Sequence, residues 1–188
     1  NGDIKVDEGV TLTSTQLGSK GNIILNAGQS VDIGGANLDA ALGVVINAGE
    51  EVMMSGSNLT AGAGVGIVSG DEVVMSGSTV RADNLISIES SAGADLSGAE
   101  LTTIGGIEID TGTHIDSRNT KLRSPGTIIL IAGDNTNPGI ITVNKAAIGE
   151  PGTMILNAAG QAQQATAKPL TVIINGTPES GSIVKAPL

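Results

Sequence analysis

The chain has 188 residues, a formal net charge of −10 and no Phe, Tyr, Trp or Cys. The lack of cysteine excludes disulfides and thiolate metal sites, and the lack of aromatic residues implies a narrow interior filled by Val, Ile, Leu and Ala. The 9 Lys and Arg residues are scattered, which argues against a nucleic-acid groove and against attraction to a membrane surface. No apolar run is long enough for a transmembrane helix, and we attribute the acidity mainly to solubility.

Aliphatic residues recur along the chain at every twenty-first position. Counting from Leu25, one step backwards falls on Ile4, and successive steps forwards fall on Ile46, Ile67, Ile88, Ile109 and Leu130. The residue two places before each of the positions from Leu25 onwards is also aliphatic, and apolar residues at i and i+2 are typical of the buried face of a strand. A fixed period of this length predicts a solenoid.

Each repeat contains three strand signals separated by corners rich in Gly, Ser and Ala. The second repeat shows them clearly, as the apolar pairs Ile23/Leu25, Val31/Ile33 and Ala36/Leu38. Glycines in the corners, such as Gly28 and Gly35, allow the positive φ that a sharp turn requires. Each repeat is therefore predicted to form three short strands and three tight corners.

Stacked repeats can bury these side chains because each strand pairs in parallel with its counterpart one period away. We therefore predict an all-β fold, a three-sided parallel β-helix of about seven to eight and a half coils spaced by about 4.8 Å. A β-sandwich would not require a constant period, and it would show hairpin signals between its strands, which the repeats lack.

The period is interrupted once, after Leu130. The next apolar pair, Ile141/Val143, comes five residues later than expected, which predicts an insertion at the first corner of the seventh coil. The inserted residues are Asp134, Asn135, Thr136, Asn137 and Pro138. An insertion in a solenoid forms a surface loop that often binds a partner, but drift at a tolerant corner explains it at least as well.

The repeat pattern fades after Leu156, which stands where the chain should return to the first strand of the next coil. We predict a β-helix over residues 1–158 and a C-terminal cap or linker over residues 159–188. Within the latter, Gly160–Lys168 suits a short capping helix or a linker, whereas Pro169–Asn175 has the composition of a strand.

Acidic residues at one corner are the candidate metal site. The stacking of successive repeats places Glu50 over Asp71 and Glu51 over Glu72. Carboxylates about 5 Å apart could hold Ca²⁺ or act as acid and base on a polysaccharide. Since no Lys, Arg or aromatic residue shares these positions, a solvated acidic edge is the favoured interpretation, with weak Ca²⁺ binding as the alternative. No other cofactor is expected.

The remaining candidate residues are polar and isolated in the sequence. His114, the only histidine, precedes the inward Ile115, so it should point outward as an isolated surface residue. Without a catalytic constellation, we predict that the protein is not an enzyme. Asn58 and Asn175 begin Asn-x-Ser/Thr triplets and are candidate glycosylation sites, although such triplets are common by chance in a Ser/Thr-rich chain.

The segments Gly21–Gly28 and Gly43–Gly49, with the pattern G-x-[IV]-x-[IL]-x-A-G, resemble the haemagglutinin-type repeats of filamentous haemagglutinin-like exoproteins. The resemblance extends from about Ile4 to Leu156. It implies a right-handed parallel β-helix, a large secreted surface protein, and a role in adhesion or biofilm formation.

The ends of the predicted solenoid suggest how it could assemble. Terminal coils expose unpaired strand edges and an open hydrophobic cross-section. The first coil begins on Ile4 and Val6 without a cap, and the strand that contains Leu170, Val172 and Ile174 could pair across the junction with another copy. Such a head-to-tail contact yields a filament. Because no signal sequence opens the chain, we expect a removed leader or a fragment.

The sequence thus predicts an extracellular structural protein, which is either a filament subunit or the shaft of a surface adhesin. Its expected partner is another copy of the chain or a host or cell-surface glycan, with no nucleic acid and no membrane insertion. The first alternative is a carbohydrate- or receptor-binding module that uses residues 134–138. The second is a polysaccharide-active β-helix enzyme.

Overall fold

The computed structural model describes residues 4–7, 9–133, 139–142, 147–148, 153–157, 162–163, 172–175, 177–178 and 183–187. These residues form β-strands joined by turns and contain no helix, and hence no helix that could cross a membrane. Three parallel sheets form the three faces of a solenoid, and each coil passes from the first sheet to the second and then to the third. The predicted three-sided parallel β-helix is confirmed.

Within each face the strands are stacked in the order in which they occur along the chain. The first sheet contains β1 (Ile4–Asp7), β4 (Ile23–Ala27), β7 (Val44–Ala48), β10 (Val65–Ser69), β13 (Leu85–Ser90), β16 (Gly106–Thr111), β19 (Thr127–Ala132) and β24 (Val172–Asn175). The second sheet contains β2 (Val10–Thr11), β5 (Val31–Asp32), β8 (Val52–Met53), β11 (Val73–Val74), β14 (Gly93–Asp95), β17 (His114–Asp116), β20 (Ile140–Thr142) and β25 (Thr177–Pro178). The third sheet contains β3 (Gln16–Ser19), β6 (Asn37–Ala40), β9 (Asn58–Ala61), β12 (Thr79–Ala82), β15 (Glu100–Thr103), β18 (Lys121–Arg123) and β21 (Ala147–Ile148).

The core is a set of aliphatic ladders along the solenoid axis. Leu25 pairs with Ile46 and Ile46 with Ile67, so the repeated position stacks in register as the period predicts. These side chains are buried, as are Ile33 and Leu38 on the other two faces. Burial of one such side chain contributes about 1.5–3 kcal/mol, and the repetition of this gain in every coil holds the stack together.

In the first coil the register differs from the prediction. Ile4 pairs with Ile23 rather than with Leu25, whereas Val10 pairs with Val31, which lies one full repeat later. The first corner of this coil is therefore two residues shorter than in the next coil. A shift of two residues leaves the in-and-out alternation of a strand unchanged, so the hydrophobic pattern alone could not detect it.

The interruption after Leu130 has the predicted size. Leu130 pairs with Ile109, which lies one full repeat earlier, whereas Ile141 pairs with Ile115, which lies one repeat and five further residues earlier. Five extra residues therefore lie between these two strands of the seventh coil, as the sequence predicts. Residues 134–138 themselves are outside the described residues.

Beyond the seventh coil the chain departs from the predicted order. The repeat pattern predicts Leu156 as the neighbour of Leu130, but Ile174 of β24 takes that place. Thr153–Asn157 instead forms β22 of a separate antiparallel sheet with β23 (Ala162–Gln163) and β26 (Ile183–Pro187). Ala162–Gln163 is a strand rather than part of a capping helix, and the rest of Gly160–Lys168 lies outside the described residues. The two candidate segments carry the same apolar alternation, so their sequences do not decide which one stacks on β19.

Candidate functional site

The predicted acidic residues lie at the first corner, which is the turn between the first and second sheets. The backbone N–H of Asp71 donates to the carbonyl oxygen of Glu50 at 3.1 Å, and that of Val52 donates to the carbonyl oxygen of Glu72 at 2.9 Å. The acidic pairs are therefore stacked one coil apart, as predicted. Glu50 and Asp71 are exposed, whereas Glu51 and Glu72 are half-buried.

The carboxylates at this corner do not converge on one point. Glu50 Oε2 accepts a hydrogen bond from Ser30 Oγ at 3.3 Å, while Glu72 Oε1 lies 3.5 Å from His114 Nε2. In the described part of the chain, no three His, Asp or Glu side chains are grouped so that they could hold a metal ion. Calcium binding at Glu50, Glu51, Asp71 and Glu72 stays a prediction, and the geometry fits a solvated acidic edge.

The contact between His114 and Glu72 corrects the interpretation of His114 as an isolated residue. The two residues lie on coils separated by one intervening coil, in which Gly93 occupies the corresponding position. A Cβ atom at Gly93 would overlap the imidazole ring. The ring can therefore extend across the intervening coil because residue 93 has no side chain, which the sequence pattern did not reveal.

A shallow groove of about 450 Å³ lies beside the first corner, on the outer side of the first sheet. Its walls include the exposed Glu89 and Asp110, which pair in register on β13 and β16. Val68 and Ile131 add apolar surface to the same groove. Two stacked carboxylates next to apolar side chains suit a cation or a basic side chain that carries an aliphatic stem.

Asparagine ladders on the outer faces were not predicted. Asn58 Nδ2 donates to Asn37 Oδ1 at 2.9 Å, and Asn47 Nδ2 donates to Asn26 Oδ1 at 2.8 Å. The signal for these ladders was an Asn at the same position of two successive repeats. Asn58 is exposed, and its amide supports coil stacking. Asn175 lies at the end of β24, opposite Ile131. Glycosylation of either residue stays a prediction.

The residues predicted to take part in assembly lie at opposite ends of the first sheet. Val6 on β1 is half-buried, whereas its pairing partner Leu25 is fully buried. Val172 and Ile174 on β24 pair with Ile128 and Leu130 of the same chain. Leu170 lies outside the described residues, as do the five residues of the insertion.

Comparison of the chain with protein-family models, with curated proteins and with solved structures found no match. The resemblance to haemagglutinin-type repeats therefore stays a prediction from the repeat motif. What the fold defines is a class of architecture, the three-sided parallel β-solenoid.

Proposed function

We propose that this chain is a structural solenoid of the extracellular space, either a subunit of a filament or part of the shaft of a surface adhesin. The observation that supports the proposal best is the open edge of the first coil. There, Val6, Leu12 and Leu17 point towards the core but remain half-buried. Their counterparts in the second coil, Leu25, Ile33 and Leu38, are fully buried.

The open edge favours addition of further β-structure for two reasons. Among the described residues, β1, β2 and β3 each have a neighbouring strand on one side only, and a strand with one neighbour can pair with a further strand along its other edge. Covering the half-buried side chains would also gain about 25 cal/mol for each Å² of apolar surface removed from water. In a longer chain the cover would be a preceding coil, and in a filament it would be another copy.

The opposite end offers a matching edge. Within the described residues, β24 and β25 are the last strands of the first and second sheets. A second copy could place its β1 beside β24 and its β2 beside β25 in the parallel orientation that the coils already use. Such a contact is heterologous, so it would continue into a filament.

The outer surface is consistent with a structural role. Contacts between side chains one coil apart are repeated along the axis, including the Asn26–Asn47 and Asn37–Asn58 pairs and the contact of Lys121 with Glu100. Each contact ties one coil to the next. Repeated contacts of this kind make the stacking of the coils more regular. A binding site for a small ligand, in contrast, usually needs polar groups that converge in one recess.

Light scattering and electron microscopy of the purified chain test the assembly proposal. We expect the natural chain to associate increasingly with concentration and to form filaments. The double variant Leu12→Lys and Leu17→Lys should stay monomeric, because it places charge on the open edge. The control variant Asp39→Lys and Thr60→Lys adds lysines at exposed, outward positions of β6 and β9 and should still assemble. A natural chain that keeps its β-structure but stays monomeric at high concentration would contradict a filament subunit.

The alternative of a carbohydrate- or receptor-binding module is supported by the change of register between β19 and β20. Leu130 pairs with a residue one repeat away, but Ile141 pairs with a residue five positions beyond one repeat. The seventh coil therefore has five more residues between β19 and β20 than the sixth coil has between β16 and β17, which is the size of the predicted insertion Asp134–Pro138. The enzyme alternative rests only on the stacked carboxylates of the first corner.

A further inference from the structure

The first corner has the same unusual length in the two outermost coils of the described stack. Strand pairing aligns Asp7, at the end of β1, with Asn175, at the end of β24, through every strand of the first sheet between them. In the same way, pairing within the second sheet aligns Val10 of β2 with Pro178 of β25. Between these two columns the chain advances three positions in the first coil and again three positions in the eighth coil.

Every coil between them has a longer first corner. The corresponding step is five positions in the second to the sixth coil, for example from Asn26 to Val31, and ten positions in the seventh coil, from Ile131 to Ile141. Each outermost coil therefore has a corner that is two residues shorter than the regular one. The two ends of the stack match each other in a feature in which both differ from the coils that adjoin them.

Equal corner lengths allow the backbones of neighbouring corners to pair. The N–H of Gly49 donates to the carbonyl oxygen of Ala27 at 2.9 Å, and the N–H of Gly70 donates to that of Ala48 at 3.0 Å. These corners follow the same path, so their polar backbone groups meet partners in the adjacent coil. Two corners of different length cannot repeat each other residue by residue. A short corner is therefore continued best by another short corner, and the stack offers one at each end.

We propose that a second copy of the chain stacks its first coil on the eighth coil in the register that these columns define. This inference rests on the head-to-tail filament proposed above and gives that filament its register. In the junction, Lys5 of one copy lies opposite Ile173 of the other, and Val10 lies opposite Pro178. The junction then extends the first and second sheets together and places one short corner on the other.

The directions of the backbone groups agree with this register. The N–H of Ile23 donates to the carbonyl oxygen of Gly43 in the following coil at 2.9 Å, and Val172 of β24 occupies the same column as Ile23. Because the backbone groups of successive residues point to opposite sides of a strand, Val172 and Ile174 direct theirs at the junction. Lys5 is one position out of phase with this column, so its backbone groups face the junction from the second copy.

Pro178 makes the junction weaker than the contact between two interior coils. In the column of Pro178, the N–H of Val31 donates to the carbonyl oxygen of Glu51 in the following coil at 2.9 Å, whereas a proline has no N–H to donate. The second sheet therefore lacks one hydrogen bond at the junction. We expect the filament to separate at its junctions at concentrations of denaturant that leave the coils folded.

Disulfide cross-linking of the full chain tests the register, since the natural chain has no cysteine. Paired residues of neighbouring strands lie about 4.8 Å apart, which is within the Cα separation of about 4.4–6.8 Å that a disulfide spans. The double variant Lys5→Cys and Ile173→Cys should therefore give a ladder of disulfide-linked oligomers on a non-reducing gel. Within one chain the two positions lie at opposite ends of the first sheet, roughly 34 Å apart, so the links must join different copies.

The double variant Lys5→Cys and Asn175→Cys is the matched control. It reports a register shifted by two residues, and in the proposed register its two Cα atoms are about 8 Å apart, which is too far for a disulfide. Filaments that form under reducing conditions and then link no better through Lys5→Cys and Ile173→Cys than through the control would overturn the register but not the filament. A natural chain that forms no filament would overturn both.

Two-residue insertions test the match between the short corners without changing the paired strands. A Gly-Ser pair inserted after Asp7 gives the first coil a corner of regular length and should raise the concentration needed for assembly by about tenfold. The same insertion after Asn175, made in addition, restores equal lengths and should restore assembly. Insertion after Gly28, in an interior corner, is the control and should leave assembly unchanged. A folded chain with both insertions that assembles no better than the chain with the first alone would overturn the matching of the corners.

Discussion

The narrow core accommodates buried Ser and Thr hydroxyl groups at the start of the third face. Ser57 donates to the carbonyl oxygen of Ile33, and Thr120 donates to that of Leu96, in each case on the preceding coil. A buried hydroxyl needs such a partner to offset the loss of water. In the described part of the chain, every buried side-chain nitrogen or oxygen has one, so Ala and Ser or Thr can alternate at this position.

Asp95 on β14 is held by hydrogen bonds from two serines. Ser76 Oγ donates to Asp95 Oδ2 at 2.6 Å, and the backbone N–H of Ser97 donates to Oδ1 at 2.9 Å. Burial raises the pKa of the Asp95 carboxyl, but the hydrogen bonds from Ser76 and Ser97 and the charge of Arg118 outweigh it. The pKa therefore lies below its ordinary value of 3.8.

The lowered pKa of Asp95 predicts a loss of stability in acid. A carboxyl whose pKa is lower in the folded state stabilises the protein above its unfolded pKa, and this contribution is lost as the pH falls through the folded pKa. Asp95→Asn should therefore lower the free energy of unfolding by roughly 0.5–1 kcal/mol at neutral pH. The difference between the variant and the natural chain should shrink below the ordinary pKa of 3.8.

Urea denaturation at a series of pH values would measure this effect. Asp39→Asn, which changes an exposed carboxylate on β6, serves as the matched control. A difference between Asp95→Asn and the natural chain that stays constant with pH would contradict the assignment.

At the scale of the structural element, the first corner depends on glycine for close stacking. Gly49, Gly70 and Gly112 occupy this corner in three coils, and a Cβ atom on any of them would overlap a backbone carbonyl group of the preceding coil. The glycines therefore do more than permit a turn, because they allow neighbouring corners to approach at the spacing of the sheets. The close approach favours glycine at this corner without strictly requiring it, since Ser91 occupies the same position in the fifth coil.

Gly70→Ala should consequently destabilise the solenoid by about 1–3 kcal/mol, since the added methyl group has to displace backbone atoms. Gly66→Ala is the matched control, because it introduces the same methyl group in β10, where an added Cβ has no atom within 4 Å. This control should leave the stability unchanged or raise it slightly. Equal losses for the two variants in urea denaturation would show that the corner does not limit the stacking.

At the scale of the whole molecule, each coil contacts mainly the coils before and after it. The stability of such a solenoid is approximately a sum of coil and interface contributions. The outermost described coil at the N-terminal end has an interface on one side only, and three of its inward residues, Val6, Leu12 and Leu17, are incompletely buried. Stability should therefore rise from this edge towards the middle of the stack.

Two leucines at the same position of the third face allow this gradient to be measured. Leu59 on β9 is 1% exposed and Leu17 on β3 is half-buried. Leu59→Ala should cost about 2–5 kcal/mol, as expected for a buried leucine, and Leu17→Ala clearly less. Denaturation should be followed at low protein concentration, where assembly does not cover the edge. A cost for Leu17→Ala as large as that for Leu59→Ala would contradict the gradient.

The sequence by itself determined the repeating part of the structure. Parallel stacking places equivalent residues of successive repeats side by side. The residues that form the ladder at Leu25, Ile46 and Ile67 can therefore be identified from the repeat period alone. The insertion before Ile141 was visible for the same reason, since it shifts the phase of every later residue of that coil. Contacts that follow the period can be predicted because the sequence records each of them many times.

Only the tertiary structure decided the features that occur once. The register of Ile4 on Ile23 was hidden because a shift by two residues keeps the apolar alternation. The choice of Val172–Asn175 over Thr153–Asn157 as the neighbour of β19 was hidden because both segments have the same pattern. The approach of His114 to Glu72 depends on the missing side chain of Gly93 between them, and a contact that spans two periods leaves no repeated signal in the sequence.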